Sequence, residues 1–442
     1  MQFRNYIVRI SLVGLVASSL FLTFLIWTSN QSLEQENYEN PVVTDENNQL
    51  NNQNFARVFL PTQVVNAQNG QNYVLINQQN DLISSLIAML KSWNLKLNQI
   101  QTLDDKSYLE KLNNQNYTQV VYTDSMSLNV FSDVIDKKEL RQNDDFMFNR
   151  VFIPKDLDNH IYFANDQTKE IYAVERGGYD ASGFNKLVDD YGFKTPAKFI
   201  KLASNRYVLN YTTEPKLSVY SYMIYREMED SYVSRLLGNN IAPPQTNYVT
   251  TYKSGSSKRL VVDKNNDSLQ YSDVSMTKIP QDLQSLFEQS FQSISNLKTR
   301  LVEWRYYSSS DEAADKQITY RNYVEGLPVF SQTENGVASV KYSNSGEEMN
   351  FTNQMLKVPI PPDGKVATLP TTSELLNQLK KIGYDYQNIQ DVELGFEWQK
   401  DATNNDLIDL VPTYYVKVND KLVNYETLIN KSSTNDVSTD NK

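Results

Sequence analysis

Eighteen consecutive uncharged residues, Ile10 to Trp27, sit behind a nine-residue tail that carries Arg4 and Arg9. At ~1.5 Å per residue such a run forms a helix of roughly 27 Å, enough to cross the hydrocarbon core of a bilayer. Both basic residues precede the run, while Glu34, Glu36 and Glu39 follow it. The positive-inside rule therefore leaves the tail in the cytoplasm and carries the rest of the chain across. A cleaved signal peptide is the competing reading, but nothing around Trp27, Thr28 and Ser29 resembles a small-x-small cleavage site. Ser11, Gly14 and Ser18 form a stripe of small residues along this helix, and such a stripe lets a second membrane helix approach closely.

The 442 residues leave room for two or three domains beyond the anchor. With no cysteine there can be no disulfide, thiol nucleophile, thiolate-bound zinc or iron–sulfur cluster. The chain carries 42 Lys and Arg against 53 Asp and Glu, and setting aside Arg4 and Arg9 makes the remainder more acidic still. That balance argues against nucleic acid as a partner. Residues 28–54 are dominated by Asn, Gln and Glu and read as a juxtamembrane linker.

Periodicity beyond the linker predicts an α+β protein with mainly antiparallel sheets and packed helices. Strands are expected at Phe55 to Leu60, Tyr117 to Tyr122, Phe146 to Ile153, Ile161 to Ala164 and Glu170 to Glu175, with an amphipathic helix over Leu82 to Leu97. A composition break at Gly192 to Pro196 divides a first domain, 55–196, from a middle domain, 197–310, that opens on a tyrosine-rich stretch. Pro280 suits the first turn of a helix whose apolar spacing continues from Leu283 to Trp304. In a last domain, 311–430, Ile318 to Glu325 reads as a strand, and Asn335 and Gly336 mark a tight hairpin before Val337. Thr371 and Glu374 form a capping box, Gly383 closes that helix, and two alternating segments follow. Residues 431–442 read as a disordered tail.

Catalytic chemistry is hard to find. Ser275 and Lys278 fit Ser-x-x-Lys, and Lys253-Ser254-Gly255 mimics its Lys-Thr-Gly companion. The order is wrong, however, and the serine is not expected to open a helix as wall-active serine enzymes require. His160 is the single histidine. Adjacent acids such as Asp104 and Asp105, Asp144 and Asp145, or Asp189 and Asp190 diverge on regular structure. Asp401, Thr403 and Asn405 begin like a calcium loop but lack its glycine hinge and closing glutamate. No cofactor or metal is expected. The residues taken alone favour a binding or regulatory protein, with an exported serine hydrolase or a surface peptide- or polymer-binding module as alternatives.

Ordered landmarks sharpen this reading. They are Phe59-Leu60-Pro61, Tyr220-Ser221-Tyr222, Leu236-Leu237-Gly238-Asn239, the run Arg321-Asn322-Tyr323-Val324-Glu325-Gly326-Leu327-Pro328-Val329-Phe330, Val392-Glu393-Leu394-Gly395-Phe396, and Val411-Pro412-Thr413-Tyr414-Tyr415-Val416. Together with the anchor, they make the chain resemble the YycH family, membrane-anchored accessory proteins of the WalK/WalR (YycG/YycF) two-component system. Arg321 to Phe330 is the most specific segment, and Arg321, Tyr323, Gly326, Leu327, Pro328, Val329 and Phe330 form its structural motif. Pro412 stands near a position where the family often has tryptophan. The resemblance implies a single-pass protein with a three-part exterior whose last part is similar to the sister protein YycI. It also implies that the chain acts with a YycI-like partner on a WalK-type sensor histidine kinase through membrane helices, and so on cell-wall metabolism.

Overall fold

The computed structural model describes residues 54–436 apart from 77–81, 157, 193, 239–240, 242–243, 247–248, 277–278, 298–303, 313, 362–363, 385 and 402–403. The expected membrane run with Ser11, Gly14 and Ser18, and all but the last residue of the linker, lie outside the described residues. Among the described residues no helix is long and apolar enough to cross a membrane. Residues Asn52–Lys442 form one unit, and the fold below is that unit's.

Its first half is a sheet built from β1 (Gln63–Gln68), β2 (Gln71–Leu75), β3 (Asn94–Thr102), β4 (Tyr117–Ser127), β5 (Met147–Pro154), β6 (His160–Ala164), β7 (Glu170–Gly177), β8 (Lys194–Lys201) and β9 (Tyr207–Tyr211). The strands pair in the order β3-β7-β6-β5-β4-β1-β2-β8-β9, every pair antiparallel. Helices α1 (Leu82–Ser92), α2 (Asp105–Leu112), α3 (Leu128–Val134) and α4 (Ala181–Asp189) cover it. The composition break at Gly192 to Pro196 therefore falls inside this sheet, because β8 and β9 extend it beyond β2.

The second half contains β10 (Lys216–Ser218), β11 (Tyr220–Arg226), α5 (Glu229–Leu237), β12 (Gln245–Thr246), β13 (Thr250–Ser254), β14 (Lys258–Asp263), β15 (Ser268–Asp273) and α6 (Leu283–Ser295). Then come β16 (Trp304–Asp311), β17 (Asp315–Val324), β18 (Leu327–Phe330), β19 (Val337–Ser343), β20 (Gly346–Thr352), β21 (Gln354–Ile360) and β22 (Val366–Thr368). The chain ends with α7 (Thr372–Lys381), β23 (Ile389–Lys400), β24 (Leu407–Val418), β25 (Lys421–Asn424) and α8 (Tyr425–Asp436). β10 pairs with β22, and the other strands join one large sheet, since β15 pairs with β20. Within that sheet β18 and β23 run parallel. The α+β class with mainly antiparallel sheets is as expected.

Several elements differ from their sequence reading. Residues 54–58 are helical rather than extended, and Phe59 N–H donates to the Phe55 carbonyl at 3.1 Å. One turn of helix sets Phe55 and Phe59 on one face, where they meet Phe291 at ring-centroid distances of 5.1 and 6.2 Å. Helix α1 stops at Ser92, because Leu95 and Leu97 alternate along β3 rather than continuing its face. Helix α6 begins after the cap Asp282, whose carboxylate accepts from Ser285 N–H at 2.7 Å, and it ends at Ser295. Pro280 thus precedes the helix, and Trp304 opens β16. Helix α8 reaches past Lys431, where the tail was expected to start.

Two apolar cores hold the halves together. One joins Phe59, Leu86, Phe131 and Phe163 to Phe287, Tyr306, Tyr320 and Val340. The other joins Val65, Phe152 and Phe199 to Leu327, Phe396, Leu410 and Tyr414. Each of these cores draws on residues of both halves.

Candidate functional site

The motif of residues 321–330 builds one corner of a cleft between the sheets. β17 and β18 pair through Val324 with Leu327, leaving only Glu325 and Gly326 in the loop. Their φ angles of 51° and 78° both lie in the left-handed region, as a type I′ hairpin requires. The two-residue turn is therefore here. At Asn335 and Gly336, where it was expected, a longer loop connects β18 to β19. Burial pushes the Glu325 carboxyl up to about 7.

From this hairpin the side chains go two ways. Tyr323, Gly326, Leu327 and Pro328 line the cleft. Arg321 turns away and is held between the rings of Tyr307 and Phe330, 4.6 and 4.5 Å from their centroids, while its Nη1 donates to the Val329 carbonyl at 2.9 Å. Phe330 stacks in turn on Tyr415, with centroids 4.1 Å apart. Val329 is fully buried and pairs with Phe396. Gly395 makes this close approach possible, since a Cβ there would stand 2.6 Å from the Pro328 carbonyl oxygen.

The cleft has a volume of about 270 Å³ and is open to solvent. Its first-half wall carries a buried ion pair, Arg150 with Asp166 at 2.8 Å. Asp166 also accepts from Tyr108 Oη at 2.6 Å and Asn149 Nδ2 at 2.9 Å. Burial alone would raise this carboxyl, but Arg150 and those donors hold it below the usual range. Phe199 packs under the Arg150 guanidinium, 4.4 Å away.

The second-half wall is strand β23. Arg206, from the loop between β8 and β9, reaches across to Asp391, Nε to Oδ2 at 2.5 Å, and donates from Nη2 to the Thr123 carbonyl at 2.9 Å. Two residues along, Glu393 accepts from Tyr307 Oη at 2.8 Å. Burial and the neighbouring Asp391 push the Glu393 carboxyl up to about 7, against the pull of Arg206. Burial raises Asp391 as well, with Arg206 opposing it. The Thr123 hydroxyl completes the junction with Tyr323 Oη at 2.7 Å.

Arg150, Asp166, Arg206, Asp391 and Glu393 escaped the sequence analysis as site residues. A faint signal for two of them existed: Asp391 and Glu393 sit two apart on one face of a strand whose other face carries Val392, Leu394 and Phe396.

The other sequence candidates do not converge. Ser275 lies in a turn after β15, where its backbone N–H and its hydroxyl both donate to Asp273 Oδ1, at 2.9 and 2.6 Å. Lys278 lies outside the described residues. Asp104 caps α2 through Ser107 N–H at 2.8 Å, whereas Asp105 bridges Lys169 at 2.8 Å and Lys201 at 2.7 Å. His160 pairs with Asp158 at 3.1 Å. Asp401 accepts from Asn404 N–H at 2.9 Å, and Thr403 of the suspected calcium loop is outside the described residues. Among the described residues no group of three or more acidic or histidine side chains could hold a metal ion.

Comparison with known proteins agrees with the landmarks. No curated protein matches the chain. The crystal structure of YycH from Bacillus subtilis has a similar fold, with a TM-score of 0.66 at 15% identity over 84% of this chain and 96% of that one. Residues 6–191 match the N-terminal domain of the YycH protein, and residues 207–432 match its C-terminal domain. With both domains matched over most of its length, the chain belongs to the YycH family.

Proposed function

We propose that this chain is a non-enzymatic, single-pass membrane regulator that tunes a WalK/YycG-type sensor histidine kinase through helix contacts in the bilayer, together with a YycI-like partner. Membership of the YycH family implies a regulatory role in the WalK/YycG system, and that membership is the observation carrying the proposal. The family match starts at residue 6, so the uncharged run 10–27 belongs to the region the family shares. Arg4 and Arg9 before this run set the short tail in the cytoplasm and the large part outside.

The mechanism is a shifted equilibrium. Helix contacts in a bilayer are worth ~1–2 kcal/mol each, enough to move a two-state kinase several-fold to some tens-fold. Gly14 and Ser18 supply the close approach such contacts need. Co-purification tests the reading. Full-length chain extracted in mild detergent should bring the kinase with it, and Gly14→Leu should release the kinase while remaining in the membrane fraction. Undiminished recovery of the kinase with Gly14→Leu would move the contact away from the small-residue stripe.

A further inference from the structure

One wall of the cleft is spent and the other is not. On the first-half wall Asp166 is saturated by Arg150, Tyr108 and Asn149. On the second-half wall Glu393 uses Oε1 to accept from Tyr307, and its Oε2 has no partner among the described residues. Arg206 uses Nε on Asp391 and Nη2 on the Thr123 carbonyl, leaving Nη1 without a partner among the described residues. The side-chain amide of Gln63, which also lines the cleft, is likewise unused among them. These are polar groups of both signs with spare capacity, facing one solvent-connected space.

The charges around Glu393 show what is missing. Asp391 shares its strand and has Lys417 across from it on β24, where Tyr415 stands opposite Glu393 itself. Tyr307 comes from β16, Arg321 and Tyr323 from β17, Arg206 from the β8–β9 loop and Asp124 from β4. Arg206 is committed to Asp391, and Arg321 is held between two rings with Nη1 on the Val329 carbonyl. No cation hydrogen-bonds Glu393 among the described residues, so its charge lacks a direct counterpart. A ligand ammonium on Oε2 supplies it, and a carboxylate on the same ligand meets Arg206 Nη1.

We propose that this cleft binds a small zwitterion, an amino acid or dipeptide, with its ammonium on Glu393 and its carboxylate on Arg206. A volume of about 270 Å³ lies just below the ~300–1,000 Å³ that ligand pockets span, and so suits one or two residues rather than a polymer. Ionised Glu393 is the binding form. Because its carboxyl titrates at about 7, the site tightens as pH rises through that value.

The test is calorimetric titration of the full-length protein in detergent with alanyl-alanine, N-acetyl-alanyl-alanine and alanyl-alanine amide. Saturable binding of the free dipeptide is expected, with each blocked form weaker by about ten- to a hundred-fold, as loss of one charge-assisted hydrogen bond implies. Affinity for the free dipeptide should be higher at about pH 7.5 than at about pH 6, because Glu393 ionises over this range while the dipeptide amine, with a pKa of ~8, stays mostly protonated. Glu393→Gln, which keeps the acceptor for Tyr307, should lose the preference for a free amine while retaining its circular dichroism. The blocked ligands test the idea without any change to the protein. No saturable binding of the dipeptide, equal binding of the N-acetyl form, or wild-type selectivity in Glu393→Gln would each overturn the proposal.

Discussion

Glu393 is a carboxyl whose surroundings favour its neutral form, and this gives the stability of the protein a pH dependence of known sign. Its ordinary value near 4.5 is raised to about 7 in the fold, first by burial and then by Asp391. Between those values the folded chain holds a proton that the unfolded chain has lost. The contribution is therefore fully present below about 4.5 and is lost as pH rises through about 7. Urea unfolding at about pH 5 and about pH 8 reads this directly: the wild type should lose more stability across that interval than Glu393→Gln does. Equal losses would place the titration elsewhere, Glu325 being another carboxyl raised to about 7.

At the scale of elements, the β17–β18 hairpin and helix α7 show what local sequence specifies. Glu325 and Gly326 both need positive φ, which glycine adopts freely and a β-branched residue does not. Gly326→Val should lower stability by ~1–3 kcal/mol, seen as a reduced melting temperature, with no defect confined to signalling. Normal stability with lost signalling would instead make this hairpin a contact surface. In α7 the Thr371 hydroxyl accepts from Glu374 N–H at 3.2 Å, and the Glu374 carboxylate accepts from Thr371 N–H at 2.9 Å. Thr371→Ala should lose ~0.5–2 kcal/mol by denaturant titration, and an unchanged midpoint would show the cap to be dispensable. The capping box was legible because a few adjacent residues determine it; the hairpin was not, since the tight turn was expected at Asn335 and Gly336, although Gly326 fell within the motif. The first helical turn at 54–58 and the end of α1 were not legible. Phe55 and Phe59 form a helix because Phe287 and Phe291 lie opposite them, more than two hundred residues away, and Leu95 joins a strand because β7 pairs with it.

For the molecule as a whole, strand pairing and shared cores join segments on both sides of the composition break. The break at Gly192 to Pro196 falls near the gap between the two family-domain matches, 6–191 and 207–432, while β8 and β9 extend the first sheet and both cores draw on both halves. The unit Asn52–Lys442 should unfold in one transition by calorimetry and by fluorescence; two separated transitions would show the halves to be independent. The cleft was illegible for the same reason. Arg206 and Asp391 lie far apart in sequence, and only the packing of two sheets brings them to 2.5 Å. Family membership, by contrast, was legible in short ordered landmarks, since these code for turns and tight packing such as Gly395 against Pro328. The proposed function rests on the run at residues 10–27. The most direct measurement is therefore expression from a kinase-dependent promoter in cells carrying Gly14→Leu or Ser18→Leu, beside the membrane abundance of each variant. Both substitutions keep the run apolar and place a bulky side chain where a partner helix would approach. The account predicts loss of the regulatory effect at normal abundance. Wild-type signalling from both variants at normal abundance would contradict it.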